Sequence, residues 1–279
     1  VDGGLISLAA FLDVSAAFDT LDHDILLQRL ASSYGLSGMV LLWFVSIVTT
    51  RSQSVRMAAS SSGTVPIYSG IPQGSVLGPL LYILFTADVA TLVASTGLDV
   101  HLYADDSQIY GHTSSVDAAT FAASILATIA EVKAWMSSNR LRLNQDKTQF
   151  AWFGPDTRLS GRDLDRLRVL SPALVSTGFV RNLGVLLDQE LRMEDHITSL
   201  CRSCFFQLRR LRSIRHSVTS KVLHTLVHAF ICSRLDYCNS ALFGSPKFLL
   251  DRLQSVLNAA ARLLLRIPKF EHISGDIRE

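Results

Sequence analysis

The sequence predicts an α+β domain followed by an all-helical one. Two observations carry that reading. Strand-like runs interleave with helical patterns up to about residue 191, whereas from residue 195 to about 267 apolar residues recur only at helical spacing. The charge divides in the same place. Residues 1–191 carry 12 Lys and Arg against 17 Asp and Glu, and residues 192–279 carry 14 against 7.

The elements follow in order. "LISLAAFLDVSAAF" (5–18) is apolar but for Asp13, and reads as a buried strand running into a turn. "LDHDILLQRLASSYG" (21–35) reads as a helix with an acidic start, which suits the helix dipole, and Gly35 stops it. A second helix covers about 37–50, and residues 53–70 form a hairpin around a Ser/Gly turn. Residues 71–95 open on Gly/Pro punctuation and become a long apolar helix. "VHLYADDSQIYG" (100–111) is a hairpin with two acids at its tip. Residues 116–138 form a helix with one apolar side, from Val116 through Phe121, Ile125 and Val132 to Trp135. Residues 141–154 read as two short strands around a turn, 155–172 as a charged loop, and 178–191 as a strand pair. The expected division is therefore 1–154, a connecting segment with a hairpin at 155–194, and a helical region at 195–279.

Composition bounds the function. Apolar residues make up 48% of 279, enough for a sizeable core. The N-terminal residues lack a secretory pattern, and the apolar run 39–48 is short of the roughly 20 residues that span a bilayer, so the expectation is a soluble, intracellular chain without a membrane partner. A start at Val1 reads as a fragment or an excised domain. A basic region beside an acidic one suits a protein that holds a polyanion with one part and metal ions with the other. Cys201 and Cys204 recur at helical spacing with Phe205, Leu208 and Leu211, so these thiols are expected to face a core rather than hold zinc.

Asp105 and Asp106 are the anomaly. Adjacent carboxylates repel, and aspartate is a poor strand former. If the hairpin lies beside the first strand, Asp13 joins them, and three carboxylates need a cation to offset their repulsion. Mg²⁺ suits such a set, because it accepts one or two carboxylates together with substrate phosphates. Two such ions roughly 3.5–4 Å apart form the clamp for in-line displacement at phosphorus.

Five ordered blocks then resemble the reverse transcriptase of non-LTR (LINE-type) retrotransposons. They are "FLDVSAAFDTLDH" (11–23), "SGIPQGSVLGPLLY" (69–82), "YADD" (103–106), "NRLRLNQDKTQF" (139–150) and "RNLGVLLDQELRMEDHI" (181–197). Residues 226–244 and 250–266 are similar to the thumb and following region of these elements. The resemblance implies a polymerase palm, an antiparallel sheet with packed helices, followed by an α-helical thumb. It implies RNA-directed DNA synthesis with two Mg²⁺ ions, or Mn²⁺, on an RNA template with a DNA primer and dNTPs. Asp13 and Asp105 would bind the metals, with Asp106 as a secondary ligand or electrostatic support. Phe18, five residues after Asp13, would sit under the incoming sugar and exclude a 2′-hydroxyl. Gln73 and Gly74 would contact nucleotide and template, and Lys147 would face the pyrophosphate as cation or proton donor. Arg202, Arg209, Arg212 and Arg215 would track phosphates.

The family's fingers and endonuclease lie upstream of the first palm block, so a longer polyprotein is expected to supply them, and the nucleus is the compartment the family implies. The rival readings are a catalytically silent remnant that folds and binds nucleic acid, and an RNA-templated RNA polymerase, against which "YADD" and Phe18 argue.

Overall fold

The strand β1 (Ile6–Val14) organises the first part of the chain. Its even-numbered residues, Ile6 to Val14, are buried, as the period of two in a strand requires when one face meets a core. Asp13 falls on the other parity and so points away from that core. β1 is flanked on both sides in an antiparallel sheet of order β6-β7-β1-β8, where β6 is Asp99–Tyr103, β7 is Asp106–Thr113 and β8 is Leu143–Phe153. The computed structural model describes residues 5–154, 159, 161–175, 178–268 and 271, and the chain divides into two compact units, Val1–Thr177 and Gly178–Glu279.

In the first unit, α1 (Ala17–Thr20) is a single turn after β1, and α2 (His23–Ser32) and α3 (Gly38–Thr49) follow. Asp22 caps α2 by accepting from the Ile25 amide at 3.0 Å. The segment predicted as one hairpin is a nested pair: β2 (Ser52–Gln53) pairs with β5 (Val65–Pro66), and inside it β3 (Arg56–Met57) pairs with β4 (Ser60–Ser61). Helices α4 (Leu77–Ser95) and α5 (Ala118–Ser138) supply the largest share of the core. Tyr82, Phe85 and Val89 of α4 and Ala122, Ile125 and Val132 of α5 are buried in one cluster with Leu8, Leu12 and Ile109 of the sheet. By length and composition both helices could cross a membrane, as core helices of this length often could. Here each gives one stripe to the core of the first unit.

Two expectations for this unit change. Residues 141–154 are not two strands around a turn but one strand, β8, because both halves pair with β1. The expected turn survives as an irregularity: Phe11 pairs with Gln149 and Asp13 with Asn144, so residues 145–148 bulge out of register. Residues 161–170 are not a loop but an amphipathic helix, α6 (Gly161–Leu170), whose charges outnumber a single fully buried contact at Leu167. Residues 155–158 and 160 of that expected loop lie outside the described residues.

The second unit begins with the predicted strand pair, β9 (Val180–Asn182) and β10 (Val185–Leu187). Helix α7 (Glu194–Ile214) follows, then α8 (Ser220–Val227), which passes through a π turn at His228–Cys232 into α9 (Ser233–Asp236), and finally α10 (Lys247–Leu265). Val185, Ile197, Cys201, Cys204, Leu208, Ile231 and Val256 share its core. Both CxxC thiols are thus turned inward, and burial pushes Cys204 up to about 11.

Candidate active site

The register of β1 and β7 decides which carboxylates meet. Leu12 pairs with Ser107, so Asp13 and Asp106 are next in the same register and share the face opposite the helices. Tyr103 pairs with Asp106 across a two-residue turn, Ala104 and Asp105, with Ala104 held at a φ of 52°. A left-handed alanine stores strain that the flanking pairing must hold in place. The three acids therefore collect at one end of the sheet.

Their electrostatics differ. Desolvation, then the charges of Asp105 and Asp13, push the Asp106 carboxyl above its ordinary value. Asp13 lies beside Lys147, whose Nζ is 3.4 Å from Oδ2. The bulge in β8 is what brings Lys147 there, since it lies within the out-of-register residues 145–148. Even so, Asp13 Oδ2 is enclosed and accepts no hydrogen bond. A buried carboxylate oxygen without a hydrogen-bond donor is costly unless something else satisfies it. Among the described residues no three His, Cys, Asp or Glu side chains form a ready-made metal cage. The donor set fits a hard divalent cation held by one or two carboxylates and completed by substrate phosphate, which Mg²⁺ favours over an all-protein site.

Phe18 sits on the α1 turn, half-buried, with its ring centroid 5.0 Å from that of Tyr82. Burial and then the charge of Asp105 hold the Tyr82 hydroxyl well above its ordinary value, so it stays protonated. Tyr82 thus touches the Phe18 ring and feels the charge of Asp105, two features that lie far apart in sequence.

The loop before α4 is sewn onto the α1 turn. Ile71 N donates to Phe18 O at 2.8 Å, Gly70 N to Leu21 O at 2.7 Å, and Ser69 Oγ to Asp19 O at 3.1 Å. Gln73 Nε2 donates to both carboxylate oxygens of Asp19, at 3.1 and 3.2 Å. Gly70 has a φ of 78°, and a Cβ there would lie 2.6 Å from Asp19 O, so only glycine fits. Gly74 also has a positive φ, 76°, but open space around it, which leaves room for close approach to its backbone.

The reverse transcriptase (RNA-dependent DNA polymerase) family matches residues 5–187. The chain belongs to this family. Its relatives place this reverse transcriptase among those of non-LTR retrotransposons. The RNA-directed DNA polymerase from mobile element jockey of Drosophila funebris is 32% identical over 200 residues, 70% of this chain and 21% of that protein. The probable RNA-directed DNA polymerase from transposon BS of Drosophila melanogaster is 27% identical over 286 residues, 94% of this chain and 29% of that protein. The chain thus spans between a fifth and a third of the length of these relatives. A telomerase from Candida albicans, solved in complex with a TWJ fragment of telomeric RNA, matches 98% of the chain and 49% of its own at 12% identity, with a TM-score of 0.48.

The arginines singled out in the second unit are arranged on α7. Arg202, Arg209 and Arg212 are exposed, and Arg215 is half-buried at the helix end. Arg202 also lines a groove of about 510 Å³ between α7 and α10, with Phe205, Phe248 and Arg252. Sequence reasoning missed several residues that hold the palm motifs together. Arg140 pairs with Asp22, tying the end of α5 to the cap of α2. Arg51 Nη2 donates to Gly70 O, which also accepts from His23 Nε2 at 2.8 Å. Asp22 had a visible signal as a helix cap, whereas Arg51 had none, because a lone arginine before a hairpin reads as solvated.

Proposed function

We propose that this chain carries the catalytic centre of an RNA-directed DNA polymerase, which adds deoxynucleotides to a DNA primer 3′-hydroxyl on an RNA template. The observation that carries the proposal is the enclosed, hydrogen-bond-free Oδ2 of Asp13 at the sheet end where Asp105 and Asp106 turn. Asp13 and Asp105 would hold the divalent ions, with Asp106 as electrostatic support. When bound, Mg²⁺ or Mn²⁺ would acidify the attacking hydroxyl and offset charge on the departing pyrophosphate.

The chain's own residues do the rest. Lys147, with its ammonium 3.4 Å from the Asp13 carboxylate and otherwise exposed, would face the departing pyrophosphate. It can then neutralise charge there or donate a proton. The Phe18 ring, fixed against Tyr82, forms the floor under the sugar and leaves no partner for a 2′-oxygen. Gln73 is held by Asp19, and Gly74 offers bare backbone to the nucleotide or template. Arg202, Arg209, Arg212 and Arg215 would contact phosphates of the template–primer duplex.

The test is primer extension on an RNA template with dNTPs and Mg²⁺. Asp105→Asn should lower the rate by on the order of 10²–10³-fold, the scale of removing one charge-stabilising group at a reacting centre. Extension that survives Asp105→Asn undiminished would overturn the assignment. The rival reading is a catalytically silent remnant that only folds or binds nucleic acid. It predicts no extension by the wild-type chain and no rise in melting temperature on adding Mg²⁺.

A further inference from the structure

We propose that Arg51 is a positioning residue for nucleotide selection, acting on the Phe18 ring through the single peptide that joins Gly70 to Ile71. The inference rests on the polymerase reading above and goes beyond it, because Arg51 has no part in the carboxylate chemistry.

The argument is geometric. The Gly70 carbonyl oxygen accepts from Arg51 Nη2 and from His23 Nε2, the latter at 2.8 Å. A carbonyl only accepts, so His23 must carry its proton on Nε2, and the 3.2 Å approach of Arg51 Nη2 to that nitrogen is two donors converging on one oxygen. The two lone pairs of the oxygen are thereby both used. Arg51 is itself aimed by a bond from Nε to Val48 O at 3.4 Å, at the end of α3, and its Nη2 also reaches Ser69 O at 3.5 Å.

The same peptide ends on the other side in Ile71 N–H, which donates to Phe18 O at 2.8 Å. A peptide unit is planar and its C=O and N–H point in opposite directions. Fixing the oxygen therefore fixes the direction of the N–H, and with it the Phe18 carbonyl. Gly70 cannot be braced from within, because a positive φ and a would-be Cβ 2.6 Å from Asp19 O leave only glycine there. Bracing has to come from outside, and Arg51 and His23 supply it. Phe18 stands on a four-residue turn, Ala17–Thr20, too short to hold its own geometry, and its ring faces Tyr82 at 5.0 Å. If the peptide tilts, the ring shifts under the sugar while Asp13, on β1, stays in the sheet.

The experiment compares the full chain with Phe18→Ala, Arg51→Ala, Arg51→Lys and the Phe18→Ala/Arg51→Ala double variant. The measurement is kcat/KM for a dNTP and its rNTP on one primed RNA template. Arg51→Ala should reduce the dNTP-over-rNTP preference by on the order of tenfold, as expected for a misplaced positioning group. Most of that change should fall on KM for the dNTP. Arg51→Lys keeps one donor for Gly70 O and should restore part of the preference. In the double variant, Arg51→Ala should lower the preference no further than Phe18→Ala alone, since both act through one ring.

A purely structural arginine would instead slow dNTP and rNTP use alike, leave the ratio unchanged, and add to Phe18→Ala in the double variant. Any of these overturns the inference. Amide exchange at Ile71 gives a readout without catalysis: Arg51→Lys should exchange faster than wild type there, and equal protection would also overturn it. With the upstream fingers supplied, a wild-type chain that uses neither nucleotide sinks the polymerase reading itself. Normal dNTP use with an unmoved ratio in Arg51→Ala sinks only the role of Arg51.

Discussion

Asp106 carries a carboxyl that its neighbours push toward the protonated form, through desolvation first and then through Asp105 and Asp13. A raised acid pKa means that the folded chain binds this proton more tightly than the unfolded chain. Between 3.8, the ordinary value, and the raised folded value, the unfolded state holds fewer protons, so stability from this group falls as pH rises. Above that window the ionised Asp106 is a standing cost that a bound cation relieves. Asp106→Asn, measured by thermal melting without divalent ions, should therefore raise the midpoint at pH 7 by roughly 1–2 °C. The gain should shrink as pH falls through the raised folded value, where the wild-type acid takes up its proton as well. Added Mg²⁺ should narrow the difference by stabilising the wild type more. A midpoint that falls at pH 7 would mean that Asp106 makes favourable contacts outweighing its repulsion. At this scale the sequence was informative wherever a residue violated its local context. Two acids in a strand and a lone Asp13 in an apolar run stand out, whereas Arg51 and Arg140 violate nothing locally and gain their roles only through partners 19 and 118 residues away.

Between elements, the contact that matters most is the loop at 69–73 laid over the α1 turn. It converts a single helical turn into a fixed platform by three backbone-directed bonds and one carboxylate–amide pair. Gly70 is where the two backbones come closest. Gly70→Ala meets both a left-handed φ of 78° and a contact of 2.6 Å with Asp19 O, and a backbone atom cannot rotate away as a side chain can. We expect a loss of about 1–3 kcal/mol in urea unfolding, the range for strained non-glycine backbone, with a larger effect than Gly74→Ala, which has no neighbour to strike. Equal losses at the two glycines would show that φ alone sets the cost. The elements legible beforehand were the long apolar runs, β1 and α4, and the one-sided apolar periods, α5 and α7. The period failed where charge or pairing overrode it. Helix α6 reads as a loop because six of its ten residues are Asp, Arg or Gly, and β8 reads as two strands because its middle bulges. That bulge is not incidental, since it delivers Lys147 to Asp13.

Across the whole chain, charge follows the two units. Residues 1–177 carry 11 Lys and Arg against 15 Asp and Glu, and residues 178–279 carry 15 against 9. The acidic excess includes the carboxylates that a cation would cover, so a polyanion would be left to the basic unit. Within that unit the arginines of α7 are not equivalent. Arg202, Arg209 and Arg212 project into solvent, while Arg215 is half-buried, and Arg210 lies 5.8 Å from the Phe206 ring. Exposed guanidinium groups without an ion pair among the described residues are the kind that replace condensed counterions on a nucleic acid. If they do so, affinity for a primed RNA template should fall linearly in log–log form as salt rises, and each arginine that meets a phosphate should contribute roughly 0.7–0.9 to the slope. Replacing Arg202, Arg209 and Arg212 together with alanine should therefore flatten the slope by about two to three and weaken binding at low salt far more than at high salt. Arg215→Ala should change it less. The variants leave the carboxylate end of the sheet untouched, so dNTP selection on saturating template should not move. Fluorescence anisotropy of labelled template–primer at several salt concentrations gives the slope directly. An unchanged slope in the triple variant would mean that α7 is a solvated face, and that the phosphates are held by other residues of the chain.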